Sequence, residues 1–393
     1  MAKRVAIPFK RMAVRIVGPR EEYLAARVQN FDMPANLPTT DIDELGNPQH
    51  AGTVVDRPEV TATIQAFDTS VKLFSVLTGT SLTSYPGAGV SINSLTDVDI
   101  IGVIRDESVA DYVKTIHGRK ARVTGFSYSY SVDGEATEEY TFTGTNKRYF
   151  RYDVVVDAYT DSDSSPLTLS ETPLILKNGD YILSYIHDGT YYTEVSSSPT
   201  AGDGEYQYSA GTLILADAIV TYAVAVYHAN TGGNEWSDVS DNTIPAAVRG
   251  KDINITISAN DIKRVQSINI RGDLPTETVE EMGNDEIVGY ITQVPKVTGD
   301  LEVLDTDLQL ISLFTTGSTT VSANEYGVSE YTYDNLSLDI VISNPSGVVL
   351  KTLYIPAIEI TGDSHTVNVG GMARERFNFR SNTGALTIYS GSR

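Results

Sequence analysis

The chain has 393 residues, 41% of them hydrophobic and 20% charged, and its formal net charge is −22. This composition is typical of folded globular protein and argues against disorder, and the length allows two or three domains. The absence of cysteine excludes disulfides, thiolate metal sites and a cysteine nucleophile.

Charge is distributed unevenly along the chain. Residues 1–20 contain no acidic side chain and six basic ones: Lys3, Arg4, Lys10, Arg11, Arg15 and Arg20. The remaining residues hold 23 basic and 51 acidic groups, which would repel duplex DNA and argue against a sequence-reading DNA-binding protein. The basic start is either a solvated arm or an arm that docks on an acidic neighbour. It lacks the apolar core of a signal peptide, so we expect a soluble protein without a cleaved leader.

Residues 1–160 are predicted to be mostly β-strand. The segments "EVTATIQAF" (59–67) and "ARVTGFSYSYSV" (121–132) alternate with the period of two that is typical of half-buried strands. Gly134 is placed to turn a hairpin into the returning strand "EEYTFTG" (138–144).

One short helix is predicted to interrupt these strands. Asp68 or Thr69 would cap it, and Val71, Phe74 and Leu77 recur at helical spacing.

The segment "LPTTDIDELGN" (Leu37–Asn47) is predicted to form a short helical turn. Thr39 lies near its start and Gly46 is placed as a left-handed stop. Asp43 and Glu44 resemble an acid–base pair, but adjacent carboxylates on a solvated turn are far commoner than a catalytic pair.

Residues 161–245 are predicted to form a small all-β insert, with an immunoglobulin-like fold as one possibility. Linker-like segments, "TDSDSSP" and "NTGGNEWSDVSDNTIP", bound it. Its longest apolar stretch, "GTLILADAIVTYAVAVYHA", is interrupted by polar residues and predicts paired strands rather than a membrane span. Eight of the 23 tyrosines lie between Tyr181 and Tyr227. They either cover a sheet face or form a carbohydrate- or protein-binding surface.

The first part of the chain is repeated after the insert. At a constant shift of 237 residues, 18 of the 52 pairs between 27–78 and 264–315 are identical. The shift slips by about three residues where "DVDIIGVI" meets "SLDIVIS", and it returns where Thr124-Gly125 meets Thr361-Gly362. We therefore predict a tandem duplication with three domains, 1–160, 161–245 and 246–393.

The repeated loop motif pairs the following residues: Leu37 with Leu274, Pro38 with Pro275, Gly46 with Gly283, and Asn47 with Asn284. The repeated helix contains Asp305, Leu308, Ile311 and Phe314.

Motifs that carry chemistry are missing from the sequence. The five histidines are scattered without the i, i+4 spacing of a zinc helix, and no phosphate-binding loop or nucleophile elbow occurs. We expect no enzymatic activity, no cofactor and no metal site.

Both repeats resemble the tail tube (major tail) proteins of tailed bacteriophages and related viruses. The resemblance rests on "RVQNFDMPANLPTTDIDELGN…RPEVTATIQAFDTSVKLFSVLTG" and on its counterpart "RVQSINI…LPTETVEEMGN…VPKVTGDLEVLDTDLQLISLFTTG". It implies a β-sandwich or barrel fold in which six tube domains form a ring around one inner barrel. Stacked rings would conduct DNA during ejection.

The resemblance also implies location and partners. The protein would be made in the host cytoplasm and reside in the virion tail. It would contact the tape measure, terminator and baseplate or tip proteins, and would not associate with a membrane. The alternative is a baseplate or receptor-binding (adhesin-type) virion protein that uses the tyrosine-rich insert.

Assembly predictions follow from the duplication. With two domains per chain, three chains would complete a pseudo-hexameric ring; the other possibility is two copies packed into one monomer. Lys3, Arg4, Lys10 and Arg11 would form an inter-ring arm, and the insert would be dispensable. The two long hairpins would line the bore, with these residues alternating between wall and channel: Tyr128, Tyr130, Glu138, Tyr140, His365, Glu375 and Phe377.

Overall fold

A computed structural model describes the following residues: 12–45, 50–55, 58–67, 71–80, 82, 87, 89–106, 111–144, 146–151, 154–177, 179–229, 248–282, 287–304, 308–331, 336–367 and 372–393. Apart from short 3-10 turns, the helices in these ranges are α1 (Lys72–Thr78) and α2 (Gln309–Thr316), and the other regular elements are strands. The predicted all-β class is confirmed.

The strands fall into three consecutive groups. The first copy (residues 12–151) holds β1 (Met12–Val17), β2 (Glu22–Leu24), β3 (Val28–Asp32), β4 (Ala35–Asn36), β5 (Thr39–Ile42), β6 (Gly52–Val55), β7 (Glu59–Ala66), β8 (Val90–Ser91), β9 (Val98–Asp106), β10 (Asp111–Ser131), β11 (Thr137–Gly144) and β12 (Asn146–Phe150). The insert (residues 154–229) holds β13 (Val154–Thr160), β14 (Leu167–Thr168), β15 (Ile182–His187), β16 (Thr190–Glu194), β17 (Glu205–Ser209), β18 (Thr212–Leu215) and β19 (Tyr222–His228). The second copy (residues 248–393) holds β20 (Ile253–Ile257), β21 (Asn260–Asp261), β22 (Val265–Asp273), β23 (Thr276–Val279), β24 (Gly289–Thr292), β25 (Lys296–Val303), β26 (Leu336–Ser343), β27 (Val349–Thr366), β28 (Arg374–Ser381) and β29 (Thr387–Ser390).

The two copies share irregularities as well as strand order. The register shift between Val123 and Gly125 in the β10–β11 pair recurs between Ile360 and Gly362 in the β27–β28 pair. A second shift, at the start of the β3–β7 pair, recurs at the start of the β22–β25 pair, 237 residues later. Bulges are local departures from the period of two, so matching bulges indicate matching folds.

The slip in the sequence alignment is one residue rather than three. Ile104 of β9 pairs with Lys114 of β10, and Ile342 of β26 pairs with Lys351 of β27. β9 therefore matches β26 at a shift of 238, while β10 and β27 keep 237. The repeated pair Asp-Ile favoured the longer slip in the sequence, but strand pairing fixes the register.

Two long strands each belong to two layers of the fold. The first half of β10 pairs with β9 and β12, and its second half pairs with β11. β27 repeats this arrangement with β26 and β29, and then with β28. In the first copy, we call β9 with the first half of β10 the cover layer, and β7, β11 and the second half of β10 the hairpin layer. In the second copy, β26 with the first half of β27 is the cover layer, and β25, β28 and the second half of β27 are the hairpin layer. Strands of both copies close into one barrel around a shared hydrophobic core.

The two helices lie where the sequence predicts them. α1 buries Phe74 and Leu77, starts after Val71 without a side-chain cap, and ends at the left-handed Gly79. Glycine suits this last position because it has no Cβ to clash there. α2 repeats the arrangement: Leu308 precedes its first turn, and Ile311 and Phe314 lie within the helix. The proposed capping residues Asp68, Thr69 and Asp305 lie outside the described residues.

The repeated loop motif is a β-hairpin, not the predicted helical turn. β5 pairs with β6, and β23 pairs with β24, each as a separate two-stranded sheet. Threonine and β-branched residues in "TTDI" and "TETV" favour extended backbone over helix. The proposed stop glycines, Gly46 and Gly283, lie outside the described residues, as do Asn47 and Asn284.

The insert forms its own sheet, in the order β13-β19-β15-β16-β17-β18-β14. This sheet begins at Val154, before the predicted boundary at 161. Tyr185, Tyr206 and Tyr227 are buried in its core, which favours a packing role for these tyrosines over a recognition surface. Its immunoglobulin-like character stays a prediction.

The insert packs tightly on the cover layer of the first copy. A small buried cluster joins the two: Val17, Ile101 and Val103 of the first copy with Val154, Leu183, Val224 and Val226 of the insert. Tyr191 Oη donates to Asp99 Oδ1 (2.9 Å), and Asp99 also lies 2.9 Å from His117 Nε2. Burial raises the pKa of Asp99, but the charge and hydrogen bond of His117, the Ser184 hydrogen bond and the Arg119 charge together outweigh it, so the pKa lies below its ordinary value. The insert is thus joined to the first copy by buried apolar and polar contacts.

Candidate assembly interface

The two copies meet through their backbones inside the chain. The second half of β10 pairs with β22, from Gly125 opposite Asp273 to Ser131 opposite Ser267. Within this ladder Ser129 Oγ donates to Asn269 Oδ1 at 2.6 Å. The pairing joins the two hairpin layers into one continuous sheet, because β22 goes on to pair with β25. We call this contact the internal junction.

The repeated loop motif of the second copy lies across the internal junction. Leu274, its first residue, is only 2% exposed, and its backbone N–H donates to the Thr124 carbonyl at 2.9 Å. Tyr290 Oη on β24 donates to the Lys120 carbonyl at 2.8 Å. A tyrosine whose hydroxyl finds a backbone acceptor is a typical anchor of an interface, and burial of the leucine removes apolar surface from water.

A buried polar cluster lies behind the internal junction. Lys351 of the second copy forms an ion pair with Glu138 of the first, and both side chains are 2% exposed. Tyr130 Oη donates to Glu138 Oε1 at 3.3 Å, and the hydroxyls of Tyr128 and Tyr140 lie 2.8 Å apart. Burial raises the pKa of the Tyr128 and Tyr130 hydroxyls well above their ordinary value, and the Glu138 carboxylate adds to it. Both hydroxyls therefore remain protonated beside the ion pair.

The expected alternation of the first-copy hairpin residues between wall and channel is wrong. Tyr128, Tyr130, Glu138 and Tyr140 are all buried, because residues two apart on a strand point to the same face. The opposite face of these strands carries small hydroxyl residues and one acid: Ser127, Ser129, Thr137, Glu139 and Thr141. In the second copy Phe377 is buried, Glu375 is half-buried and His365 is exposed.

Each of the two strand edges that form the internal junction has a counterpart in the other copy, and each counterpart is exposed. The end of β27 corresponds to the second half of β10, but Val367 is 64% exposed where Tyr130 is 1% exposed. The β3–β4 edge corresponds to β22 and pairs on one side with β7. Leu37, which corresponds to Leu274, is 60% exposed, and Pro38, like Pro275, is half-buried. One chain thus contains one complete junction, and its exposed β27 end and β3–β4 edge are the two edges that could form a second junction of the same kind.

Sequence reasoning missed the lysine of the buried cluster. Lys351 corresponds to Lys114 at the same shift of 237 that relates Glu138 to Glu375. A search for charged residues that are identical at a shift of 237 finds both Lys114 with Lys351 and Glu138 with Glu375, and could have drawn attention to this lysine and glutamate together.

Other proposed sites are either outside the described residues or plainly solvated. Lys3, Arg4, Lys10 and Arg11 precede the first described residue. Asp43 lies 2.6 Å from His50, and both side chains are largely exposed, as expected for a solvated loop. In the described ranges no three metal-ligating side chains cluster together. No helix of these ranges is long and apolar enough to cross a membrane.

No protein-family model and no curated protein matches the chain. Solved structures that match part of it include the tube-terminating cap of an anti-feeding prophage, with 14% identity, a TM-score of 0.27, and coverage of 38% of this chain and 95% of that one. The baseplate of the anti-feeding prophage matches with 9% identity and a TM-score of 0.26, covering 38% of this chain and 97% of that one. A sheath–tube complex of an extracellular contractile injection system matches with 15% identity and a TM-score of 0.27, covering 37% and 92%.

Proposed function

We propose that this protein is a structural, non-enzymatic subunit of a hollow virion tail tube, whose stacked rings conduct DNA during ejection. The proposal is carried by one observation. The chain contains a junction between β10 of the first copy and β22 of the second, and it leaves exposed the two corresponding edges, the end of β27 and the β3–β4 edge. Exposed strand edges with a built-in complement favour association with further copies of the same chain. The sequence resemblance to tail tube proteins is the reason for proposing that the associated chains form a tube.

Three chains per ring follow from the duplication and from the six domains that the resemblance implies. Internal junctions and junctions between chains would alternate around the ring. A head-to-tail contact of this kind gives a closed ring when its rotation closes. Half of the junctions would then form within a chain, where the effective concentration of the partner is high.

Charge on the face of the hairpin layer that points away from the core supports a conduit that does not hold DNA. In the second copy this face carries arginines that pair with carboxylates: Arg374 with Glu302 at 2.6 Å, Arg376 with Asp300 at 2.9 Å, and Arg380 with Glu359 at 2.7 Å. An arginine already neutralised by a carboxylate contributes little to phosphate binding. The tape measure, terminator and baseplate or tip proteins are proposed as further partners.

Electron microscopy of concentrated, purified protein tests the proposal. We expect hollow rods whose end-on views have threefold density with a near-sixfold inner rim. A chain that remains monomeric at high concentration would contradict it. A discrete oligomer that binds a glycan or a receptor would instead support the adhesin-type alternative.

A further inference from the structure

We propose that Lys114 of one chain forms an ion pair with Glu375 of the next chain, as the counterpart of the internal Lys351–Glu138 pair. This inference rests on the proposed ring and names the residues that join its chains. The occupant of the exposed β27 edge is thus a second copy of this chain, bound through its β3–β4 edge.

The positions of the two pairs correspond in strand pairing as well as in sequence. Lys114 lies opposite Ile104 as Lys351 lies opposite Ile342. On the acidic side, Glu138 lies opposite Tyr128 in the β10–β11 hairpin, and Glu375 lies opposite His365 in the β27–β28 hairpin. A junction between chains that repeats the geometry of the internal junction therefore brings Lys114 to Glu375.

Both side chains are half-buried in the single chain. Lys114 is half-buried, and its Nζ lies 4.4 Å from the ring centroid of Tyr149, which is itself 56% exposed. Glu375 Oε1 lies 3.2 Å from His365 Nδ1, and the His365 side chain is largely exposed. Neither contact is deeply buried, so both can be exchanged when a neighbouring chain arrives.

The backbone register of the new junction follows from the same shift. The internal pair of Ser129 opposite Asn269 corresponds to Thr366 of one chain opposite Asp32 of the next chain. In both pairs a hydroxyl faces a side-chain oxygen that can accept a hydrogen bond. The contact of Leu274 with Thr124 becomes a contact of Leu37 with Thr361. Burial of Leu37 would remove a large exposed apolar side chain from water.

One carbonyl on the β3–β4 edge already has a side-chain donor. The Lys147 ammonium donates to the backbone oxygen of Met33. In the proposed register Met33 lies opposite His365, because Ile270 lies opposite Tyr128 in the internal junction. The lysine therefore satisfies an acceptor that faces the incoming strand, and it can withdraw to solvent when that strand pairs.

Charge reversal tests the pair. Lys114→Glu and Glu375→Lys each place like charges across the junction, and we expect each to lower the yield of rings by about tenfold or more, because like charges at an interface are strongly unfavourable. The double variant restores opposite charges and is expected to recover rings. Lys177→Glu and Asp203→Lys, which make the same charge changes on exposed positions of the insert, serve as matched controls and should assemble like the unmodified chain.

The outcomes separate this inference from the proposed function. If the unmodified chain forms no rings, the proposed function fails. If the unmodified chain forms rings and both single variants form them equally well, the ion pair is wrong and the ring stands. Circular dichroism and thermal unfolding of the single variants show that loss of rings does not come from loss of folding; a variant that is unfolded is replaced by Lys114→Gln or Glu375→Gln, for which we expect a smaller loss of the same sign.

A mixture of the two single variants tests the number of chains. The Lys114→Glu chain carries an acidic residue at both 114 and 375, and the Glu375→Lys chain carries a basic residue at both positions. Each junction is therefore favourable only between two different variants. A ring of strictly alternating chains needs an even number of them. With three chains per ring the mixture is therefore expected to stop at short open oligomers, whereas closed rings from the mixture would overturn the three-chain arrangement.

Discussion

The β10–β11 and β27–β28 hairpins have the same fold in opposite surroundings. The first is buried by β22 on its edge and by Lys351 above its tyrosines, whereas the end of the second is exposed from Asp363 to Val367. Since the bulges and registers agree, the difference in exposure comes from what lies beside each hairpin. The comparison identifies an edge that a second copy of the chain can fill.

The same comparison extends to the outer side of each copy. β9 is buried on both faces, whereas β26 alternates between buried and half-buried positions. The insert covers β9 through the cluster around Ile101 and Val103, and the described residues place no such cover on β26. The first copy thus has partners on both its edge and its outer face.

The largest expected effect is that of removing the insert, which the sequence predicts to be dispensable. Deletion of residues 163–243 removes β19, the partner of β13, and uncovers Val17, Ile101 and Val103. Exposure of each such side chain costs about 1.5–3 kcal/mol, so we expect a poorly soluble or unfolded chain. Soluble expression and urea unfolding of the shortened chain would measure this. Tubes of unchanged bore from the shortened chain would show that the buried cluster is not needed.

Breaking the internal ion pair is expected to have the next largest effect. Lys351→Ala leaves the Glu138 carboxylate buried without its lysine, which should lower the free energy of unfolding by about 3–5 kcal/mol. Lys351→Met combined with Glu138→Gln is the control, because it removes both charges and should recover most of the loss. Chemical denaturation of the three proteins would compare them. A Lys351→Ala chain of unchanged stability would contradict a role for the pair.

Paired leucine substitutions give the smallest effect and the sharpest contrast. Leu274→Ala should destabilise the single chain by about 2–4 kcal/mol, because Leu274 is buried in the internal junction. Leu37→Ala should change the stability of the single chain by less than about 0.5 kcal/mol, because Leu37 is exposed, but it should weaken ring formation. Thermal unfolding at low concentration and sedimentation at high concentration separate the two effects. Equal destabilisation of the single chain by both changes would remove the contrast between the two junctions.

Local patterns in the sequence predicted much of this fold. The alternation in 59–67 and 121–132 and the helical spacing of Phe74 and Leu77 correspond to strands and a helix in the structure. The segment "IIGVI" (100–104), which follows Asp99, is apolar at successive positions, as expected for a strand that is covered on both faces, and the described part of β9 is covered in this way.

The junction could not be predicted in the same way. Burial of Tyr128 and Leu274 depends on where the second copy lies relative to the first, and period-two alternation contains no information about that placement. The prediction of a helical turn for the loop motif is wrong because Thr39 and Gly46 resemble the two ends of a helix, whereas the threonines of the motif favour a strand.

Strand β10 has a mechanical consequence for any assembly built from this chain. Its 21 residues run from the cover layer into the hairpin layer without a break, and β27 does the same over 18 residues. Sliding of one layer past the other would therefore have to stretch covalent backbone, whereas layers joined only by side-chain packing can shear. Torque applied to the cover layers of such an assembly would pass directly to its hairpin layers, and the two would turn together.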